Sequence, residues 1–290
     1  MKELRAADLL SFEVPEARQR LTPFQCALYA ISIGFARDPM EARERTFVDP
    51  DPDMPVVPSM ALVMGYPGFW LGLPATGVDA TRVIHADQSI TLHQSLPSSG
   101  EIVGTTRVTG IGSRGEGKGL AMTSERDIRD DSGAPIATVA QTHFLLGNSA
   151  KIEDAPRAYD NGPPDTAPDH EVVFETRADQ ALLYRLNGDL NPLHSDPEVA
   201  ARAGFERPIL HGMSTFGVAT RAILAACLDY DCARLRRISM QFRAPVYPGE
   251  TLVTELWSEG WFRVRVVDRD VVVADRGRFE LGDLPGSATP

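Results

Sequence analysis

The stretch MSTFGVATRAILAACL, residues 213–228, decides the fold. Met213, Phe216, Val218, Ile223, Leu224, Cys227 and Leu228 leave little of its circumference polar, and a helix apolar nearly all round is a buried one. The chain beyond it is extended. Leu235–Ala244, Glu250–Ser258, Trp261–Asp268 and Val271–Leu281 alternate, are rich in Val, Phe and Arg, and are joined by short turns. Several antiparallel strands directly after a buried helix predict a sheet wrapped around that helix. Ahead of it, Ala178–Leu186 reads as a shorter helix that runs into a Gly/Asn/Pro loop.

The same order appears earlier in the chain. Thr22-Pro23 opens a helix to about Arg37, with Thr as the cap and Pro at the first position. Pro58–Trp70 is a weaker helical candidate. Strands come next over Val83–Leu96, Glu101–Ile111, Gly119–Arg129 and Ala134–Leu145. Two local echoes point to duplication. Leu28-Tyr29 matches Leu183-Tyr184. The Pro/Gly turn and Glu of Leu96–Val103 match those of Val246–Val253. Between the halves, residues 147–169 (GNSAKIEDAPRAYDNGPPDTAPD) have few apolar residues and no helix or strand period. They read as a linker between units at 1–146 and 170–290.

At 290 residues and 43% apolar composition, the chain has enough to fill such cores. Its net charge of −11 argues against general nucleic-acid binding, which needs a basic surface. Cys26, Cys227 and Cys232 have no CxxC spacing and read as buried thiols of a cytosolic protein. No secretory leader is visible, and the longest apolar runs fall short of the ~20 residues that a membrane span needs. The cytoplasm is the expected location, with no membrane partner. Gly110-Ile111-Gly112-Ser113-Arg114-Gly115 mimics a dinucleotide loop. It lies between two strands rather than between a strand and a helix, and is set aside.

Chemistry gathers in Gly188-Asp189-Leu190-Asn191-Pro192-Leu193-His194-Ser195-Asp196-Pro197. Asn191-Pro192 forces a turn, which can bring Asp189 and His194 side by side. An Asp–His pair is acid/base equipment, since one group takes a proton while the other gives one. On spacing alone, a capped turn between helices is the plainer account, and a metal site from Asp189, His194 and Asp196 is a third, which lacks a recognised ligand motif. Downstream, Arg207–Met213 leads into the buried helix. The first N–H groups of that helix lack helical partners, and Gly212 lets a ligand approach them. A developing oxyanion would be stabilised there. An ordinary helix start, with His211 structural, is the plainer alternative.

These two segments together closely resemble the hydratase motif of the MaoC-like, (R)-specific 2-enoyl-CoA hydratases. The two-half layout resembles their double-hot-dog, hydratase 2 type. The resemblance implies an α+β double hot dog: two antiparallel sheets, each wrapped around a central helix and joined edge to edge. It also implies that Asp189 and His194 are the catalytic dyad, that Asn191 orients the site, and that the Gly212 N–H binds the thioester oxygen. His211 is expected at the substrate. Gly117-Lys118-Gly119 resembles a turn of the family, which brings Lys118 and Gly119 toward the CoA phosphates; a solvated hairpin is the alternative for them. The first half lacks the Asp…Asn…His pattern, and in the family this half has lost catalysis and accommodates the acyl chain. The family's Arg/Gly-rich end to that half is replaced here by Phe144-Leu145-Leu146-Gly147-Asn148-Ser149.

The expected function is reversible hydration of a trans-2-enoyl-CoA to the (R)-3-hydroxyacyl-CoA, with an acyl-CoA as the small-molecule partner, no metal and no cofactor. A homodimer of such chains is compatible with the sequence, which gives little warrant for it and does not fix the oligomeric state. A dehydratase of branched or dicarboxylic hydroxyacyl-CoA, a hot-dog acyl-CoA thioesterase and a non-catalytic acyl-CoA-binding subunit are the competing readings; fold alone does not choose among them.

Overall fold

The computed structural model describes residues 1–154 and 162–284. In the first half, β1 (Lys2–Glu3), α1 (Ala6–Leu10), β2 (Ala17–Leu21), α2 (Pro23–Ser32) and α3 (Ala42–Arg45) come first. They precede four long strands: β3 (Val83–Leu92), β4 (Gly100–Ser113), β5 (Leu120–Asp130) and β6 (Pro135–Leu145). After β7 (Asn148–Ser149), the second half holds β8 (His170–Glu175), α4 (Gln180–Tyr184), α5 (Pro197–Arg202) and α6 (Gly212–Cys227). It closes with β9 (Leu235–Phe242), β10 (Thr251–Trp257), β11 (Trp261–Val266) and β12 (Val271–Leu281).

Ten strands make one antiparallel sheet in the order β2-β4-β5-β6-β3-β9-β12-β11-β10-β8. Each half supplies five neighbouring strands in the equivalent order. The seam is β3 against β9, registered from Asp87 opposite Gln241 to Thr91 opposite Arg237, with Ser89 facing Ser239. The echoed tyrosines occupy matching places: Tyr29 on α2 and Tyr184 on α4 are fully buried, and their rings meet edge-on at 6.1 Å. This is the edge-to-edge double hot dog that the motif implied.

In the second half, α6 is buried from Met213 to Leu224 except at Arg221. That side chain reaches Glu44 of the first half at 2.6 Å. The Glu44 carboxylate is 1% exposed and also accepts the Ala36 N–H and the Tyr230 hydroxyl, each at 2.9 Å. A buried charge needs that many partners to be tolerated.

The first half departs from expectation where its central helix should lie. Pro58–Leu62 forms only a single 3-10 turn. Pro58 provides no N–H, and Gly65 at φ +56 turns the chain away soon after. The turn is pressed against β4, since a Cβ on Gly104 would sit 2.1 Å from the Gly65 carbonyl oxygen. Helix α2 ends at Ser32, short of Arg37, because the chain turns left-handed at Gly34 (φ +100), beneath the Phe174 ring. The stretch read as a linker is anchored at its start. Asn148–Ser149 pairs in parallel with Lys2–Glu3, and Asp154 bridges to Ser113. Its residues 155–161 lie outside the described residues.

Candidate active site

The motif folds as its residue types dictate. Gly188, at φ +108, ends the 3-10 turn Arg185–Asn187 and swings the chain back. The Asp189 carboxylate then accepts the Asn191 N–H at 3.3 Å, and the Asn191 side chain accepts the Leu193 N–H at 3.1 Å. Pro192 starts a second 3-10 turn that ends at His194. Asp196 serves as the cap of α5, accepting from Glu198 and Val199. It is no partner of Asp189, which removes the metal set of Asp189, His194 and Asp196.

Asp189 and His194 are joined by His211, one ligand-type atom of each lying within 4.8 Å of the others. His194 Nδ1 lies 2.8 Å from the Ile209 carbonyl oxygen. A carbonyl only accepts, so Nδ1 carries the proton and Nε2 keeps its lone pair. His211 Nε2 donates in the same way to the Asp189 carbonyl oxygen at 3.2 Å. The two imidazoles stack at 3.7 Å with planes 27° apart, and Tyr184 packs on His211 at 5.1 Å. Burial lowers the pKa of His194, offset in part by the Ile209 carbonyl and the Asp189 charge. Burial, then the neighbouring His194, holds His211 down to about 2. Both rings are therefore neutral at pH 7. The cluster has the composition of a metal site, but each imidazole is already tied through one ring nitrogen to a main-chain carbonyl, so the protein alone holds the rings in place. The arrangement suits a water with a carboxylate on one side and a bare imidazole nitrogen on the other.

Gly212 is the first residue of α6, one residue from His211, so the helix N-terminus opens beside the dyad. The wall opposite is Phe242 of β9, whose ring would lie 3.0 Å from a Cβ at position 212. Behind Phe242 are His85 and His143. They are paired across β3 and β6 and stacked at 4.9 Å, with His85 packed 4.8 Å from Phe242. Sequence reading misses this pair, because each histidine is alone in its strand and only the sheet register brings them together.

Lys118 and Gly119 are not among these residues. They form the tip of the β4–β5 hairpin, Lys118 exposed and Gly119 buried at φ +78 with Leu145 packed close. Met122 of the same strand stands opposite His143. The hairpin therefore continues past the His143 end of the sheet, at roughly 3.3 Å per residue. Among the described residues, no helix is long and apolar enough to cross a membrane.

Comparison with known proteins gives this geometry its context. Residues 20–147 match the MFE-2 hydratase 2 N-terminal domain, and residues 160–277 match the MaoC like domain. The chain is 35% identical to enoyl-CoA hydratase ChsH3 of Mycobacterium tuberculosis, covering 87% of this chain and 88% of that protein. It is 34% identical to the peroxisomal enoyl-CoA hydratase 2 of Arabidopsis thaliana, covering 91% and 92%. The crystal structure of a MaoC-like dehydratase from Phytophthora capsici superposes with a TM-score of 0.81 at 29% identity, over 96% of this chain and 98% of that one. A hydratase 2 N-terminal domain followed by a MaoC-like domain, on one double-hot-dog sheet, places this chain in the MaoC-like enoyl-CoA hydratase 2 family of hydro-lyases.

Proposed function

We propose that the protein hydrates a trans-2-enoyl-CoA reversibly to the (R)-3-hydroxyacyl-CoA, with Asp189 and His194 as the catalytic pair. The observation that carries this reading is the tautomer of His194. Its Nδ1–H is committed to Ile209, so Nε2 is a bare base, and the Asp189 carboxylate lies within electrostatic reach of the ring. A water held by both gives its oxygen to C3 of the enoyl thioester. The dyad takes one proton from that water and returns one to C2. Charge that builds on the thioester oxygen meets the Gly212 N–H at the start of α6. One such donor is typically worth about 3–4 kcal/mol. Asn191 holds the loop, and the (R) outcome rests on the family resemblance.

His211 is a positioning residue in this scheme rather than a substrate contact. It is 1% exposed and ties the Asp189 main chain to the start of α6, so the dyad and the oxyanion donor keep a fixed spacing. Residues 170–290 carry the chemistry, and residues 1–146 shape the acyl side. The Lys118 hairpin is the candidate CoA contact.

Loss of enoyl absorbance from crotonyl-CoA and longer enoyl-CoAs, with free CoA followed in parallel, tests the proposal. Hydration without CoA release is expected. CoA release without hydration would convert the reading to a thioesterase, and tight binding with neither would make the chain a carrier.

A further inference from the structure

Arg126 is a charge in an unexpected place. It lies on β5 in the first half and is 4% exposed. Its Nη2 donates to the carbonyls of Ala61 and Leu62 at 3.0 and 2.7 Å. Tyr66 covers it, with its ring 5.4 Å away. Among the described residues no carboxylate pairs with it, and its buried Nε has no partner. Closing off the 3-10 turn accounts for one nitrogen of the guanidinium. It does not account for burying a full positive charge, which costs several kcal/mol unless an anion or acceptor compensates.

Arg126 ends a line of buried polar atoms that make few or only weak hydrogen bonds within the protein. Ser214 Oγ lies in the first turn of α6, and Tyr184 Oη lies on the ring that packs on His211. Tyr29 Oη is next, within weak hydrogen-bonding reach of Tyr184 and of Ser59 Oγ on the turn that Arg126 closes. Thr106 Oγ1 belongs to the residue directly across the β4–β5 ladder from Arg126. Buried polar groups are nearly always satisfied, by protein, water or ligand. A slot for a plain alkyl chain would be lined with hydrocarbon. Tyr66 is within electrostatic reach of both Asp189 and Arg126, and its hydroxyl pKa is raised by burial.

We infer that the acyl side of this site takes a substrate with an acceptor oxygen, a carboxylate above all, remote from its thioester, and that Arg126 receives that oxygen. This rests on the hydratase reading. The charge that the free protein leaves uncompensated is then paired in the complex, and selectivity comes from the first half while chemistry stays in the second.

The test uses pairs of trans-2-enoyl-CoAs of matched length, one ending in methyl and one in carboxylate, over a ladder of chain lengths. At one length the wild-type protein should favour the carboxylate ester by about 10–100-fold in kcat/KM, as a charge-assisted hydrogen bond allows. Arg126→Met should bring that ratio close to one, and Arg126→Lys should retain part of it. Equal or better use of the methyl ester at every length by the wild type overturns the inference while leaving the hydratase reading intact. So does a ratio unchanged in Arg126→Met. The wild-type and Arg126→Lys comparisons decide the matter if Arg126→Met does not fold. Hydration of neither ester overturns the hydratase reading and this inference with it.

Discussion

Asp189→Asn keeps the shape of the side chain and its bond from the Asn191 N–H but removes the carboxylate. It should lower kcat at least about 100-fold with little change in KM or melting temperature. His194→Ala should lower kcat as far and also cost about 1 kcal/mol of stability, because the Ile209 carbonyl loses its donor. The double variant should be scarcely slower than the worse single one, since groups acting on one water are not additive. Near-normal turnover with reduced stability would show the motif to be only a capped turn. The pH profile is set by burial. His194 is held below its usual value near 6.5, so Nε2 stays a base through neutrality. The acid limb of kcat/KM should therefore fall below pH about 6.5, and a limb at or above that value would show a solvated imidazole.

Among the elements, α6 carries two glycines with different expectations. Gly217 lies where a Cβ would meet Ile33 Cγ2 at 2.4 Å. Alanine is the better helix former by about 1 kcal/mol, yet Gly217→Ala should destabilise by roughly 1–3 kcal/mol through overpacking, as urea unfolding would record. A Cβ at Gly212 would press on the Phe242 ring. Phe242 is only half-buried and can give way, so Gly212→Ala should cost less stability than Gly217→Ala while reducing kcat by displacing the oxyanion donor. Most elements are legible in the sequence. The buried helix and the eight long strands come from periodicity, and Thr22 forms the capping box with Gln25 that its cap position suggests. The edge strands β2 and β8 are not legible, because they are short and polar on their outer faces, with Arg18 and Arg20 in one and Glu171 and Glu175 in the other. The first half's central turn looks longer in the sequence than it is. Val57, Met60, Ala61 and Met64 have an apolar helix-like spacing, but the prolines and Gly65 outweigh it. Asp189, His194 and Gly212 are readable because they share two short segments. His85, His143 and Arg126 acquire meaning only through sheet register and burial.

The whole molecule hides four of its six histidines, and acid should reveal them. Burial depresses the pKa of His85 to about 4, of His211 to about 2, and of His143 and His194 below their usual value. Unfolded, all four bind protons near pH 6.5, so the unfolded chain takes up more protons as the pH drops. Stability is full above that value and is lost below it, by up to about 1.4 kcal/mol per pH unit for each ring. Urea unfolding in steps from neutral to pH about 5 should show this slope, and His143→Gln should flatten it. The halves should also fail to part. A chain starting at residue 162 bares the β9 edge that β3 covers, and it should self-associate by size-exclusion chromatography. That same seam governs traffic. Five registered backbone pairs and the buried Glu44–Arg221 tie oppose any clamshell motion between the halves. Substrate and product must then pass the loops at the rim of the sheet, so release keeps pace with loop motion and proceeds without a slow hinge.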